Sequence, residues 1–179
     1  MTRLPSFFLY LMANPTRKRD TGSASSSTPQ QVWRYGPLVL WLIVISIFST
    51  ADFSSINTSR FIGPFLLWLF PDLSESRLAA LHFLIRKAGH FTEYAILALL
   101  ARRAFITSSR AFIERRWFEL GLLLVTCYAL LDEFHQSFVP SRNASIYDSA
   151  IDVAGGLTVL LLFKLYDEHI RRQERNAFV

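Results

Sequence analysis

Residues 131–156 are dense in groups able to exchange protons or hold cations: Asp132, Glu133, His135, Gln136, Arg142, Asp148 and Asp152. Asp132 and Gln136 stand four apart, as do Asp148 and Asp152, so on a helix each pair shares a face. Glu133 lies about 100° round from Asp132 and needs a different partner. A second set stands upstream, where Lys87, His90 and Glu93 or Tyr94 recur at helical spacing on one stripe. Arg142, with Lys87 or Arg86, is placed to neutralise part of the acidic charge. Paired carboxylates beside a histidine suit acid–base work, because burial and like charges push their pKa values apart. Three carboxylates with His90 or His135 are also a donor set for a divalent cation. His90-x-x-Glu93 has the i, i+3 spacing of helical metal sites, in reversed order. With no nucleophile motif or phosphate loop beside them, no catalytic residue is assigned, and no metal or cofactor is expected.

Strongly apolar runs flank this segment, 120–131 upstream and 153–163 downstream. A charge at the centre of a spanning helix costs roughly 2.5–3.5 kcal/mol, so each such residue needs a partner or a task. The composition agrees with a polytopic membrane protein: 51% hydrophobic and 15% aromatic residues, with mean hydropathy +0.28. The net charge of +5 does not point to nucleic acid, because the basic residues gather between apolar runs instead of along one face. The single cysteine, Cys127, lies in an apolar run, reads as a small buried residue and excludes an intrachain disulfide.

Four apolar stretches are long enough to place these side chains. The first, 35–51, is 17 residues, near the lower limit for a hydrocarbon core about 30 Å thick. Trp33 and Tyr35 mark its inner interface, and Pro37 suits a first helical turn. Residues 61–71 are apolar but too short to span and are interrupted by Gly63-Pro64, which predicts an interfacial or re-entrant helix. Ser74 or Ser76 then caps a helix through Leu78, Leu81 and Ile85 that continues to Leu100, with a kink at Gly89. The third span is 117–139 and the fourth 146–166, with Pro140, Ser141 and Asn143 at the turn. The expected fold is all-α, a four-helix transmembrane bundle with a short interfacial or re-entrant helix between spans one and two. Residues 1–34 form a basic, Ser-rich disordered cytoplasmic tail, 35–166 the transmembrane domain, and 167–179 a cytoplasmic C-terminal tail. The patch 7–12 is too short to span and lies in the interface, or precedes the true start if translation begins at Met12.

Lysine and arginine counts orient the chain. The N-terminal tail carries five, the segment 102–116 five and the C-terminal end four, so 14 of 19 lie on one side. By the positive-inside rule both termini are cytoplasmic and the 132–152 hairpin faces outward. Helical rise then puts Glu93 about 13 Å and His90 about 18 Å above Arg102. Asp152 and Asp148 stand about 18 and 24 Å above Lys164, and Asp132 about 22 Å above Trp117. Spans two, three and four thus bring their acids to one level in the outer half of the bilayer. In Ala150-x-x-x-Ala154-Gly155-Gly156, small residues allow close helix packing.

Three blocks carry a resemblance: Arg86-Lys-Ala-Gly-His-Phe-Thr-Glu-Tyr94, then Asp132-Glu-Phe-His-Gln136 with Arg142, then Asp148-x-x-x-Asp152-x-x-Gly155. Together they resemble the VanZ-like membrane proteins over roughly residues 35–165. Lys87, His90, Glu93, Tyr94, Asp132, Glu133, Gln136, Arg142, Asp148 and Gly155 fall on motif positions. Asp152 stands where many relatives carry Asn, so a second acid replaces a neutral amide. The family is named for a protein associated with low-level teicoplanin resistance, which implies a role in glycopeptide tolerance or envelope homeostasis at a bacterial cytoplasmic membrane. The resemblance implies no particular reaction.

Four readings of the polar residues remain open. They tie the helices together, through bonds each worth only about 0.6–2 kcal/mol. They form an outward-opening site for a lipid-linked envelope component or a lipoglycopeptide, with Phe134, Phe138 and Tyr147 at its mouth. They form a membrane-embedded enzyme acting by acid–base or metal chemistry on a lipid-linked substrate. Or they move protons or ions, although no polar chain continues to the inside. The bilayer is the one partner common to all four.

Overall fold

The computed structural model describes residues 28–50, 55–140 and 145–177, which form helices and, among the described residues, no strand. The helices are α1 (Thr28–Phe48), α2 (Ser55–Leu69), α3 (Glu75–Ile106), α4 (Ala111–Arg115), α5 (Trp117–Gln136) and α6 (Ile146–Ala177). The residues 1–27, with their apolar patch, and the turn residues Ser141, Arg142 and Asn143 lie outside the described residues.

α1 begins ahead of the apolar run, so Pro37 sits inside the helix and not in its first turn. A proline there removes the N–H that the carbonyl four residues back would accept. That carbonyl belongs to Trp33, and Arg103 of α3 donates to it instead at 3.2 Å. The local defect is thereby turned into an interhelical link. α2 matches the expected short helix; its 15 residues include Pro64 and extend about 22 Å, less than a hydrocarbon core of about 30 Å. α3 runs without interruption through Gly89. Ser74 occupies its N-cap position, but its hydroxyl lies against Ser76 and makes no cap hydrogen bond. α6 continues past Tyr166 to Ala177, so most of the expected C-terminal tail is helix.

α3 is the central element and packs on every other helix but α6 most extensively. The two run parallel, because Lys87, His90 and Arg102 meet Asp148, Asp152 and Asp167 in the same order. α1 crosses α3 in the opposite sense: Trp41 Nε1 donates to the Glu93 carbonyl at 2.9 Å, and Tyr35 donates to Ser108 at 3.2 Å. α5 and α6 are likewise antiparallel, with Leu160 against Gly121 and Val125 against Gly156. One core joins them, formed by Ile45 of α1, Tyr94, Leu97 and Ala98 of α3, Val125 and Ala129 of α5, and Leu160 of α6.

The outer surface is apolar. Leu40 and Ile43 of α1, Phe61, Phe65 and Trp68 of α2, Leu131 of α5 and Leu162 and Leu165 of α6 are all exposed. So many exposed large apolar side chains mark a surface made for something other than water. α1 and α6 are each long and apolar enough to cross a membrane. α3 and α5 carry most of the charged groups of the site and read less simply.

Candidate functional site

The site grows from the α3–α6 seam. Gly155 lets the helices approach: a Cβ there would collide with the backbone carbonyl of Phe91. One residue on, a Cβ at Gly156 would come within 2.6 Å of Val125 Cγ1 on α5. Close packing therefore falls to these two glycines, whereas Ala150 and Ala154 are exposed. The reason is angular. Asp152 is fully buried, and Ala154 lies about 200° round the helix from it.

With the backbones this close, two rungs form at the acid-bearing end. Lys87 Nζ pairs with Asp148 Oδ1. His90 Nδ1 lies 3.3 Å from Asp152 Oδ1, although neither atom has a partner in hydrogen-bonding geometry among the described residues. α5 adds the third side. Gln136 Nε2 donates to Asp132 Oδ2 at 2.9 Å, and the Ser145 N–H donates to Glu133 Oε2 at 2.6 Å. The neighbouring acids Asp132 and Glu133 thus have different partners, as their angular separation requires. His90, Asp132 and Asp152 each offer one atom to a group in which all such atoms lie within 4.8 Å of one another.

A cavity of about 230 Å³ reaches this group from the side of α1 and α2. Ile45, Phe48, Ile62 and Ile85 give it apolar walls. His90, Glu93, Asp132 and Gln136 give it a polar floor, with Arg86, Ser49 and Thr58 as further polar lining. Gly89 contributes by lacking a side chain, since a Cβ there would meet nothing within 4 Å. An apolar pocket with a few converging polar groups is the usual form of a ligand site.

Not every expected residue joins in. His135 is exposed and points away from the group, because Asp132, Glu133 and Gln136 take the buried face of α5. Phe134, Phe138 and Tyr147 are exposed near the same end without lining the cavity. Arg142 lies outside the described residues. Tyr94 is fully buried in the core, its hydroxyl without a hydrogen-bond partner among the described residues. Sequence reasoning missed the contribution of α1 and α2, whose Ser49 and Thr58 are unremarkable in a polar stretch. It also missed the opposite end of the seam. There Arg102 Nη2 donates to both oxygens of Asp167 at 3.0 and 3.1 Å, its guanidinium 4.1 Å from the centre of the Phe163 ring. The available signal was Asp167 at the end of the fourth apolar run, level with an arginine at the end of the second.

No curated protein and no solved structure matches the chain. A family model described as VanZ/LLP1 matches residues 32–167, a stretch that holds all of α3, α4 and α5 and every residue of the cavity. On a match over most of its length, the chain belongs to the VanZ/LLP1 family.

Proposed function

We propose that α1, α3, α5 and α6 cross the bacterial cytoplasmic membrane as a four-helix bundle, with both termini in the cytoplasm and α2 in the outer interface. In this reading the acid-bearing end of the seam lies in the outer leaflet. The cavity there receives the polar part of an amphipathic envelope ligand, a lipid-linked component or a lipoglycopeptide, and the protein contributes to tolerance of teicoplanin-type glycopeptides. One observation carries the reading: a cavity with apolar walls and a polar floor holding two acids, in a bundle with many exposed apolar side chains. The walls suit an acyl chain or apolar side group, while Glu93 and Asp132 suit an amine or a hydroxylated headgroup. Family membership supports the same reading.

The test is susceptibility. Cells expressing the protein should tolerate more teicoplanin than cells without it, with no change toward a glycopeptide lacking the lipid tail. Equal shifts for both drugs, or no shift at all, would sink the proposal.

A further inference from the structure

We infer that His90, Asp132 and Asp152 form a divalent metal site at the floor of the cavity, of a composition that suits Zn2+ or Mn2+. The donor set is one imidazole and two carboxylates from three different helices, gathered within 4.8 Å. Neighbouring ligands of a tetrahedral site with bonds of about 2.0 Å stand about 3.3 Å apart. Side-chain rotations that close the widest pair by at most about 1.5 Å therefore complete the set. The His90–Asp152 separation of 3.3 Å already equals the edge expected between neighbouring ligands of a tetrahedral site with bonds of about 2.0 Å.

A second observation is independent of the clustering. The Asp152 side chain is 0% exposed, and neither carboxylate oxygen has a hydrogen-bond partner among the described residues. A fully buried carboxylate held that way is costly unless a cation meets it. His90 lies 3.3 Å away but outside hydrogen-bonding geometry, Lys87 is bonded to Asp148, and Arg86 lines the cavity, whereas Asp152 does not. A divalent ion balances the two carboxylates while a neutral imidazole completes the set. The surrounding structure also fits. Gln136 fixes the Asp132 carboxylate from behind through Oδ2, as outer-shell partners of metal ligands do. His90 and Asp132 line the cavity, so a ligand entering it would meet the ion directly. Imidazole nitrogen suits Zn2+ among the transition metals and carboxylate oxygen suits Mn2+, which makes these two the cations to try.

The assignment needs only these side chains and stands whatever fills the cavity or whichever way the chain lies in a membrane. The full-length protein, purified in detergent without a histidine tag and stripped with chelator, is titrated separately with Zn2+ and Mn2+. One equivalent of one cation should bind. Asp152→Asn, which keeps the shape and removes the charge, should weaken binding by more than the about 10–100-fold lost with an outer-shell partner. Glu119→Gln, at an exposed acid on the opposite end of α5, should bind as the parent does. Pulsed EPR of the parent protein loaded with Mn2+, or with Cu2+ in place of Zn2+ where Zn2+ is the cation bound, should show coupling to a single imidazole nitrogen, a readout that does not depend on any variant folding. Binding of neither cation, unchanged binding in Asp152→Asn, or a spectrum without imidazole coupling would each leave a bare His–Asp pair and overturn the site. Failure of the drug-susceptibility test would leave it untouched.

Discussion

Arg102 and Asp167 clasp the basic end of α3 to α6, with the Arg102 side chain only 3% exposed and flanked by the Phe163 and Trp117 rings. Lys87, near the middle of α3, and Asp148, in the first turn of α6, clasp the same two helices again. The parallel pair is thus pinned at two levels, with His90 and Asp152 between the pins. Gly155 and Gly156 lie on the α6 face that packs between them.

Removing one member of a buried ion pair leaves the other charge stranded, at a cost of about 3–5 kcal/mol. Arg102→Ala should lower the thermal midpoint of the purified protein accordingly. A double change to Arg102→Met with Asp167→Leu should restore most of it, because apolar replacements of similar volume remove the stranded charge. A double variant as unstable as the single one would show that the cation–ring contacts matter more than the pair.

Gly155→Ala pushes a methyl group into the Phe91 carbonyl, and backbone cannot step aside as a side chain can. The change should separate α3 from α6 and cost at least the about 1–3 kcal/mol typical of overpacking. Gly156→Ala meets only the side chain of Val125, so pairing it with Val125→Ala should recover stability. Thermal unfolding of the set, read by circular dichroism, decides the point.

The proposed membrane arrangement places Tyr147 outside and Arg110 inside. Cys127, expected to be buried, is exposed, so it is first changed to Ser; single cysteines at these two positions then report sidedness in whole cells. An impermeant maleimide should label the first without lysis and the second only after it. The reverse pattern would invert the topology.

If the cavity floor binds the ligand, Asp132→Asn and Glu93→Gln should return teicoplanin susceptibility to that of cells lacking the protein, while membrane accumulation stays normal. Both side chains border the cavity, so a neutral amide of equal size alters charge more than packing. Loss of accumulation in both variants would mean that these acids serve to hold the helices together.

Much of this architecture is readable in the residues, though unevenly. The starts of α5 and α6 are legible because each apolar run follows a polar or turn-forming stretch at 117 and 146. The pairing of Lys87 with an acid and the face shared by Asp132 and Gln136 follow from charge and helical spacing alone. The start of α1 does not, because Gln30 and Gln31 carry no apolar signal and Pro37 imitates a first turn. Arg103, dozens of residues away, donates to the carbonyl that the proline leaves without its helical N–H. The small residues of α6 are conspicuous, but which of them pack depends on Asp152 turning inward, a matter of tertiary rotation and not of composition. Arg102 and Asp167 escape notice because the expected end of the last span falls one residue short of the acid.

The clasps of the α3–α6 seam join residues 61 and 65 positions apart, with α4 and α5 synthesised in between. α3 therefore leaves the ribosome well before the carboxylates of α6 exist. Lys87 and His90 must wait for the final helix, and the seam closes only as synthesis finishes. Order of manufacture thus becomes a checkpoint: a chain interrupted after α5 retains most of its apolar surface, yet lacks Asp148, Asp152 and Asp167 together. Such a fragment would present surveillance proteases with a partly built bundle whose Lys87, His90 and Arg102 lack their α6 carboxylates, and its rapid turnover would follow from the same geometry that holds the finished molecule together.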